Sequence, residues 1–433
     1  MHIPDIETKP LTEIKKYQEE KLAVLLNYLN LHSKYYQELF HKNHIDIRQV
    51  KTLEDLARIP VTVKDELQKR TDDFLCVPKN RIVDFITTSG TMGEPVTFAM
   101  TDNDLDRLAY NEYISFSCAN TTSNDIFQLM VTLDKRFMAG MAYFLGLRKL
   151  GAGVVRIGPG LQELQFESIR RFSPTGLVTV PSFIPKLIDY AEKNDIDYKN
   201  SSVKKAVCIG EAIRNPDFTL NTLGKRIADK WDIKLYSTYA STEMGTAFTE
   251  CEAGKGGHHH PEMIIVEFLD ENDQPVKDNE PGEVTITTLG VEGMPLLRFK
   301  TGDICFHHTE PCSCGRTTMR LGPVIGRKQQ MIKFKGTTLY PPAIYDALNE
   351  IEWIENYIVE VSTNNLGTDE LLVKIGCNKR YFNAEKIIKD HFRAKLRVAP
   401  EVAFFEPIEI YHWQMPAKNR KPLIFADNRK VEN

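Results

Sequence analysis

Apolar residues recur at helical spacing early in the chain and in short strand-like runs after it. Over 11–42 they fall three or four positions apart, which predicts an amphipathic helical region with one break. Thr62 followed by Asp65 predicts a helix N-terminus, with the helix over 63–70. Strands and helices then alternate. The predicted strands are 82–86, 127–133, 153–157, 178–181, 203–209 and 234–236, and the helices are 137–150 and 183–194.

This alternation predicts an α/β fold with a mainly parallel sheet, whose ligand site lies at the carboxyl ends of the strands. After about residue 260 the strand-like runs 264–269, 282–288 and 295–299 predict a β subdomain. The remaining pattern predicts a small α+β lobe, with helices 342–350 and 384–396 and strands 357–362, 370–375 and 402–405. We therefore expect an N-terminal domain over 1–327, with its β subdomain at about 260–325, and a C-terminal lobe over 328–433.

Composition favours a small-molecule partner. The 433 residues include 55 basic and 59 acidic side chains, which gives a net charge of -4. This charge balance gives no sign of a nucleic-acid-binding surface. The apolar runs are too short to span a bilayer and the N-terminus has no signal core, so we expect a cytoplasmic protein that does not bind membranes. Eight mostly isolated cysteines do not form a disulfide framework, and any that are paired are better suited to metal.

The segment 87–95, Thr-Thr-Ser-Gly-Thr-Met-Gly-Glu-Pro, follows a predicted strand and suits a phosphate. Its glycines let the backbone approach a ligand and its hydroxyls can donate to anionic oxygens. A second motif is Tyr-Ala-Ser-Thr-Glu-Met-Gly over 239–245, in which Tyr239 can stack on a base and Glu243 can hold a divalent ion. Three further segments carry polar chemistry: a turn with Asp303, whose carboxylate can accept from ribose hydroxyls, the basic stretch 326–336, and Pro-Ala-Lys-Asn-Arg-Lys over 416–421.

In their order and spacing these motifs resemble the adenylate-forming superfamily of acyl-CoA synthetases, adenylation domains and luciferases. Within it the chain is most similar to the phenylacetate-CoA ligase family. The resemblance covers nearly the whole chain, including Arg-Ile-Pro-Val-Thr-Val-Lys-Asp-Glu-Leu over 58–67 and Val-Pro-Ser over 180–182. It implies the adenylate-forming enzyme fold, ATP/AMP, Mg²⁺ and coenzyme A as cofactors or co-substrates, and a carboxylic acid such as phenylacetate as substrate.

The resemblance also implies residue roles. Lys421 would be the catalytic cation, brought to and from the reaction by a hinge near Gln329, and Glu243 would bind Mg²⁺. The other implied contacts are all with the nucleotide. They are Thr88, Ser89, Gly90, Thr91 and Gly93 at the phosphates, Glu211 and Tyr239 beside the adenine, Asp303 at the ribose, Arg327 beside the hinge, and Ala240, Ser241 and Thr242 as further nucleotide-binding residues. The chain departs from the family at Glu94, where a lysine is usual, and at Gln329 and Gln330, where an acidic pair is usual.

A Cys-x6-His pair and a later Cys-x-Cys-Gly predict a structural zinc site. The expected ligands, three thiolates and one imidazole, are Cys251, His258, Cys312 and Cys314. Three consecutive histidines at 258–260 leave the identity of the imidazole open, and Cys305 is a reserve ligand.

The leading hypothesis is an AMP-forming acid-CoA ligase. Two alternatives stay open: an acid-adenylating enzyme that uses a carrier protein or an amine as acceptor, and a nucleotide-binding regulator without catalysis. Residues of the helix 137–150 can line an acyl pocket, although apolar residues at helical spacing more often form core. A homodimer is compatible with the sequence, which leaves the oligomeric state open.

Overall fold

The computed structural model describes residues 2–88, 95–278, 280–364, 368–378, 383–415 and 422–429. The chain divides into two compact units, Met1–Thr301 with Cys305–Val324, and Gly302–Ile304 with Ile325–Asn433. Among the helices of these ranges, none has the length and apolar character needed to cross a membrane.

The first unit begins with the helical region that the apolar spacing predicts. Its helices are α1 (Leu11–His32), α2 (Lys34–Lys42), α3 (Lys64–Lys69), α4 (Asp102–Cys118), α5 (Met138–Leu150), α6 (Gln162–Phe172), α7 (Phe183–Lys193) and α8 (Thr222–Ala228). The expected break falls at Ser33, whose hydroxyl accepts a hydrogen bond from the Tyr36 N–H at 3.4 Å. Ser33 thus caps the second helix and ends the first.

The strands of this part of the chain form three sheets. They are β1 (Asp84–Thr87), β2 (Thr97–Met100), β3 (Ile126–Leu129), β4 (Gly153–Arg156), β5 (Gly176–Thr179), β6 (Lys205–Ile209), β7 (Lys234–Ser241), β8 (Thr246–Thr249), β9 (Gly257–His258), β10 (Ile264–Leu269), β11 (Gly282–Thr288), β12 (Phe299–His308) and β13 (Arg320–Arg327). A six-stranded sheet has the order β4-β3-β5-β6-β7-β8, parallel except for the antiparallel pair β7–β8. A five-stranded sheet has the order β10-β11-β12-β13-β9, and β1 pairs with β2 alone. The α/β fold class is confirmed.

The parallel sheet is covered on both faces because successive apolar residues of its strands point to opposite sides. Leu177 and Cys208 belong to the core cluster that contains residues of α6, α7 and α8. Val178 and Val207, one residue away in each strand, belong to the cluster that contains Phe116 of α4 and residues of α5. Such near-continuous apolar runs explain why these strands can be predicted from the sequence.

The second unit contains β14 (Ile332–Phe334), β15 (Thr337–Leu339), α9 (Pro341–Asn349), β16 (Asn356–Thr363), β17 (Asp369–Gly376), α10 (Ala384–Leu396), β18 (Glu401–Phe405), α11 (Pro407–Gln414) and β19 (Phe425–Asp427). Its main sheet has the order β18-β17-β16-β19, in which only the central pair is antiparallel. One core cluster, which includes Ile344, Val373 and Phe392, holds the unit together. This is the α+β lobe that the sequence pattern predicts.

Three local predictions are wrong. Thr62 does not cap α3, because its hydroxyl donates to the Leu297 carbonyl at 2.9 Å and the helix begins at Lys64. The run 295–299 is not a strand: β12 begins at Phe299 and continues through Asp303, which therefore lies in a strand and not in a turn. The left-handed φ of 47° at the buried Arg298 separates the apolar run from the strand that follows it.

Candidate functional site

Two loops at the carboxyl ends of neighbouring parallel strands are joined by Glu211. This residue follows β6 after Gly210, whose φ of 76° lets the chain leave the sheet. One Glu211 carboxylate oxygen accepts from the Ser182 N–H and the other from the Ser182 hydroxyl, both at 2.9 Å. Glu211 therefore braces the loop after β5, at the edge of the sheet where a ligand is expected.

The motif 239–245 forms the end of β7 and the turn into β8. Ser241 pairs with Thr246 across the two strands, and its hydroxyl accepts the Met244 N–H at 3.3 Å. Gly245 closes the turn with a φ of 52°. Tyr239, Ala240 and Ser241 thus lie in the strand, while Thr242 and Glu243 lie in the turn, all of them at least partly exposed to solvent. The Tyr239 ring is stacked on Phe248, with the ring centroids 6.0 Å apart.

This turn is held by one partly buried cation, Arg107. The Arg107 guanidinium of α4 donates to the Gly245 carbonyl at 2.7 Å and to the Thr246 hydroxyl at 3.2 Å. It also donates to the Leu289 and Met263 carbonyls. Burial lowers the pKa of Arg107 to about 10, which still leaves the guanidinium charged at neutral pH. The turn is therefore held in a fixed geometry by a residue outside the motif.

Glu243 presents one carboxylate at this turn. Its side chain is 14% exposed, and its Oε1 lies 3.9 Å from the Nζ of Lys64, at the start of α3. A single carboxylate is a suitable Mg²⁺ ligand where substrate phosphates complete the coordination sphere. Sequence reasoning missed Lys64 as a neighbour of Glu243.

The predicted phosphate loop lies mostly outside the described residues, since Ser89, Gly90, Thr91 and Gly93 are not among them. Its base is described. The Thr88 N–H donates to the Val96 carbonyl and the Thr88 hydroxyl accepts the Val96 N–H, both at 3.0 Å. Thr88 is 4% exposed, so it closes the base of the loop with its own hydroxyl.

In the second unit Asp303, the predicted ribose ligand, and Arg327, the predicted nucleotide contact beside the hinge, are hydrogen-bonded to each other. The Arg327 Nε donates to Asp303 Oδ1 at 2.8 Å. Asp303 is buried, whereas the Arg327 side chain is 47% exposed. The pair offers one buried acceptor group and one cation that remains accessible to a ligand.

The predicted catalytic Lys421 also lies outside the described residues, as do 416–420. The chain on either side is fixed. The Leu423 N–H donates to the Gln414 carbonyl at 2.7 Å, and Gln414 in turn donates to the Tyr357 carbonyl at 2.9 Å. Ile424 accepts from the Val359 N–H at 2.9 Å as β19 joins the sheet.

The four predicted zinc ligands are brought together in the first unit. The donor atoms of Cys251, His258, Cys312 and Cys314 all lie within 4.8 Å of one another. The Cys251 and Cys312 sulfurs are 3.6 Å apart, and the Cys314 sulfur is 3.5 Å from His258 Nε2. A tetrahedral zinc shell requires about 3.8 Å between two sulfurs and about 3.5 Å between sulfur and nitrogen. The donor set therefore fits a zinc ion.

The histidines next to His258 have partners outside this cluster. His259 Nε2 lies 2.7 Å from the Ile264 carbonyl and His260 Nδ1 lies 2.5 Å from Glu7, so His258 is the histidine of the cluster. A hydrogen bond with His258 lowers the pKa of the Cys312 thiol. A lower pKa favours the thiolate, which is the form that binds metal. Cys305 is buried elsewhere in the main core cluster.

The chain is similar to known proteins over most of its length. The family model of AMP-binding enzymes matches residues 18–293. Phenylacetate-coenzyme A ligase of Thermus thermophilus is 28% identical over 90% of this chain and 88% of its own length. The Escherichia coli enzyme of the same name is 26% identical, over 86% and 84%. A crystal structure of 2-hydroxyisobutyryl-CoA ligase in the postadenylation state has a TM-score of 0.85 at 21% identity, over 99% of this chain and 94% of that one.

Proposed function

Because the chain belongs to the AMP-binding enzymes, and among them to the phenylacetate-CoA ligase family, we propose that it joins a carboxylic acid to coenzyme A at the expense of ATP. The product pair is AMP and pyrophosphate, and an acyl-adenylate is the intermediate. Phenylacetate or a related aryl acid is the proposed substrate, because relatives covering most of the chain bear that name. The family match over 18–293 is the observation that carries the proposal, since it spans both the phosphate loop and the Glu243 turn.

In the first half-reaction a carboxylate oxygen of the acid attacks the α-phosphorus of ATP and pyrophosphate leaves. Negative charge accumulates on the phosphate oxygens, so cations placed at those oxygens lower the barrier. Lys421 is proposed as one such cation. Glu243 is proposed to hold Mg²⁺, which when bound neutralises phosphate charge. The rigid turn held by Arg107 keeps the Glu243 carboxylate in place without reorganisation.

In the second half-reaction the thiolate of coenzyme A attacks the activated carbonyl carbon. The bond between that carbon and the AMP oxygen breaks, and AMP leaves with the oxygen that came from the acid. Tyr239 is proposed to stack on the adenine, Asp303 to accept from the ribose hydroxyls, and Arg327 to contact the nucleotide. Glu211 is proposed to act on the adenine side through the Ser182 loop that it braces.

The reaction is tested by release of pyrophosphate and AMP from ATP with Mg²⁺, over a panel of aryl and aliphatic acids, with and without coenzyme A. We expect turnover that depends on coenzyme A with at least one aryl acid. We expect this turnover to be lost in Lys421→Ala and kept in Lys386→Ala, which removes an exposed lysine of α10. Acid-dependent pyrophosphate release without thioester would indicate another acyl acceptor. Absence of pyrophosphate and AMP release with every acid tested would contradict the proposal and favour a nucleotide-binding regulator.

We propose further that Cys251, His258, Cys312 and Cys314 hold a structural zinc ion. The donor distances support this, and four protein ligands leave no open position for catalysis. Metal analysis of protein purified without chelators is expected to find about one zinc per chain.

Serine variants inside and outside the cluster test whether zinc binding depends on these four residues and not on other buried thiols. Cys314→Ser should lose the zinc and lower the melting temperature, whereas Cys305→Ser, outside the cluster, should keep it. Metal-free wild-type protein, or loss of zinc in Cys305→Ser alone, would refute the assignment.

A further inference from the structure

The chain segment that precedes α3 is fixed against the beginning of β12. The Thr62 N–H donates to the Arg298 carbonyl and the Thr62 carbonyl accepts the Lys300 N–H, both at 2.9 Å. The Thr62 hydroxyl donates to Leu297, and the Arg298 guanidinium donates to the Ile59 carbonyl. Thr62 and Arg298 are buried. The backbone two residues before Lys64 is therefore held in place by hydrogen bonds on both sides.

This fixed backbone places the Lys64 ammonium beside the turn that carries Glu243. The 3.9 Å between Lys64 Nζ and Glu243 Oε1 is long for a hydrogen-bonded pair, and Lys64 is 32% exposed. An ion pair of this kind contributes little to stability. The ammonium has three donors, and at this distance from Glu243 they are available to another anion.

The nucleotide needs such a cation here. The predicted phosphate loop, 87–95, contains no lysine or arginine and has an acid at Glu94. The polyphosphate of ATP keeps net negative charge even when Mg²⁺ is bound, and Glu243 adds a further negative charge at the same turn. A lysine that reaches this turn from α3 supplies the positive charge that the loop lacks.

We propose that Lys64 binds the β- and γ-phosphates of ATP, the part of the nucleotide that leaves as pyrophosphate. The inference rests on the proposed function, since it takes Glu243 as the residue at the metal and phosphates. Lys64 acts as a point charge and donor on the triphosphate and makes no contact with the adenosine part.

The test measures equilibrium binding of ATP and AMP to the full chain by calorimetry, in wild type, Lys64→Met and Lys64→Arg. Loss of one charge-assisted contact is expected to weaken ATP binding by about tenfold to a hundredfold in Lys64→Met. AMP binding should stay unchanged, which also shows that the variant is folded. Lys64→Arg should recover most of the ATP affinity, because it restores the charge. Lys69→Met, an exposed position on the same helix, is the matched control and should bind both nucleotides as wild type does.

A second condition separates direct contact from an effect through Glu243. Binding is repeated in buffer freed of Mg²⁺ by a chelating resin, so that the protein itself meets no chelator. A direct contact between Lys64 and the phosphates still weakens ATP binding in Lys64→Met without Mg²⁺. If Lys64 only orients Glu243 toward Mg²⁺, the difference disappears there, and the proposal is overturned.

The remaining outcomes distinguish failure of the inference on Lys64 from failure of the proposed ligase function. If wild type ligates acids to coenzyme A and Lys64→Met binds ATP normally, the inference on Lys64 is wrong and the function stands. Equal weakening of ATP and AMP also refutes it, because AMP lacks the β- and γ-phosphates. If wild type binds neither nucleotide, both the inference and the proposed function are contradicted.

Discussion

Glu112 is a buried acid whose replacement is expected to make the protein more stable at neutral pH. It lies in α4 with 4% of its surface exposed, packed against Gly146 of α5. Burial raises its pKa from 4.5 to about 8. The folded protein therefore keeps the carboxyl protonated at pH 7, while the unfolded chain ionises it.

The sign of the pH dependence follows from proton binding. Below pH 4.5 both states hold the proton, so Glu112 contributes no pH dependence. Between 4.5 and about 8 the folded state binds more protons than the unfolded state, and the free energy of unfolding falls as pH rises. The loss is about 1.4 kcal/mol per pH unit, or about 3 kcal/mol between pH 4.5 and pH 7. Glu112→Gln, which imitates the protonated acid, removes this loss.

The assay is the melting temperature of wild type and Glu112→Gln between pH 5 and pH 8. The first unit has about 320 residues, so its unfolding entropy is about 0.7 kcal/mol/K. The advantage of the variant should therefore grow by about 6 °C over this range, because about 4 kcal/mol is regained. The exposed Glu20→Gln controls for general charge effects and should show no such trend. A difference that does not change with pH would refute the argument that burial holds Glu112 neutral.

Two further substitutions test the packing of the first unit. Glu7→Gln removes the charge that pairs with Arg316 at 2.5 Å where both side chains are fully buried. We expect it to cost about 3–5 kcal/mol, seen as a lower melting temperature, and an unchanged value would contradict the pairing. Gly146→Ala would place a Cβ 2.2 Å from the Glu112 Cβ, so α4 and α5 must separate. We expect a loss of about 1–3 kcal/mol in urea unfolding, and wild-type stability would show that the helices are not closely packed.

The parts of the fold that the sequence predicts are those with a local signal. The parallel strands carry continuous apolar runs, and each of the two short motifs of the proposed zinc site holds two of the proposed ligands close together in sequence. By contrast, α4 escapes prediction because buried polar residues interrupt its apolar stripe. Asn111 accepts the Ala247 N–H at 3.2 Å and Ser115 donates to the Ala247 carbonyl, so these polar groups cover the edge of β8. Their partners cannot be read from the helix itself.

The features that the sequence does not predict depend on contacts between segments that are distant in the chain. Glu243 is predicted from its motif, but its neighbour Lys64 comes from a helix early in the chain that no local pattern connects with it. The Thr62 prediction is wrong for the same reason, since a hydroxyl suited to cap a helix finds a better partner in Leu297. Sequence motifs therefore identify candidate functional residues, whereas the tertiary structure determines which other residues lie next to them.

The central claim is that the acid is activated by attack on the α-phosphorus of ATP. The most direct measurement supplies the acid labelled with ¹⁸O in its carboxylate, together with ATP, Mg²⁺ and coenzyme A, and analyses AMP by mass spectrometry. Formation and thiolysis of an acyl-adenylate place one carboxylate oxygen in each AMP. Unlabelled AMP formed alongside the thioester, or label in inorganic phosphate with ADP as the product, would contradict the proposed mechanism.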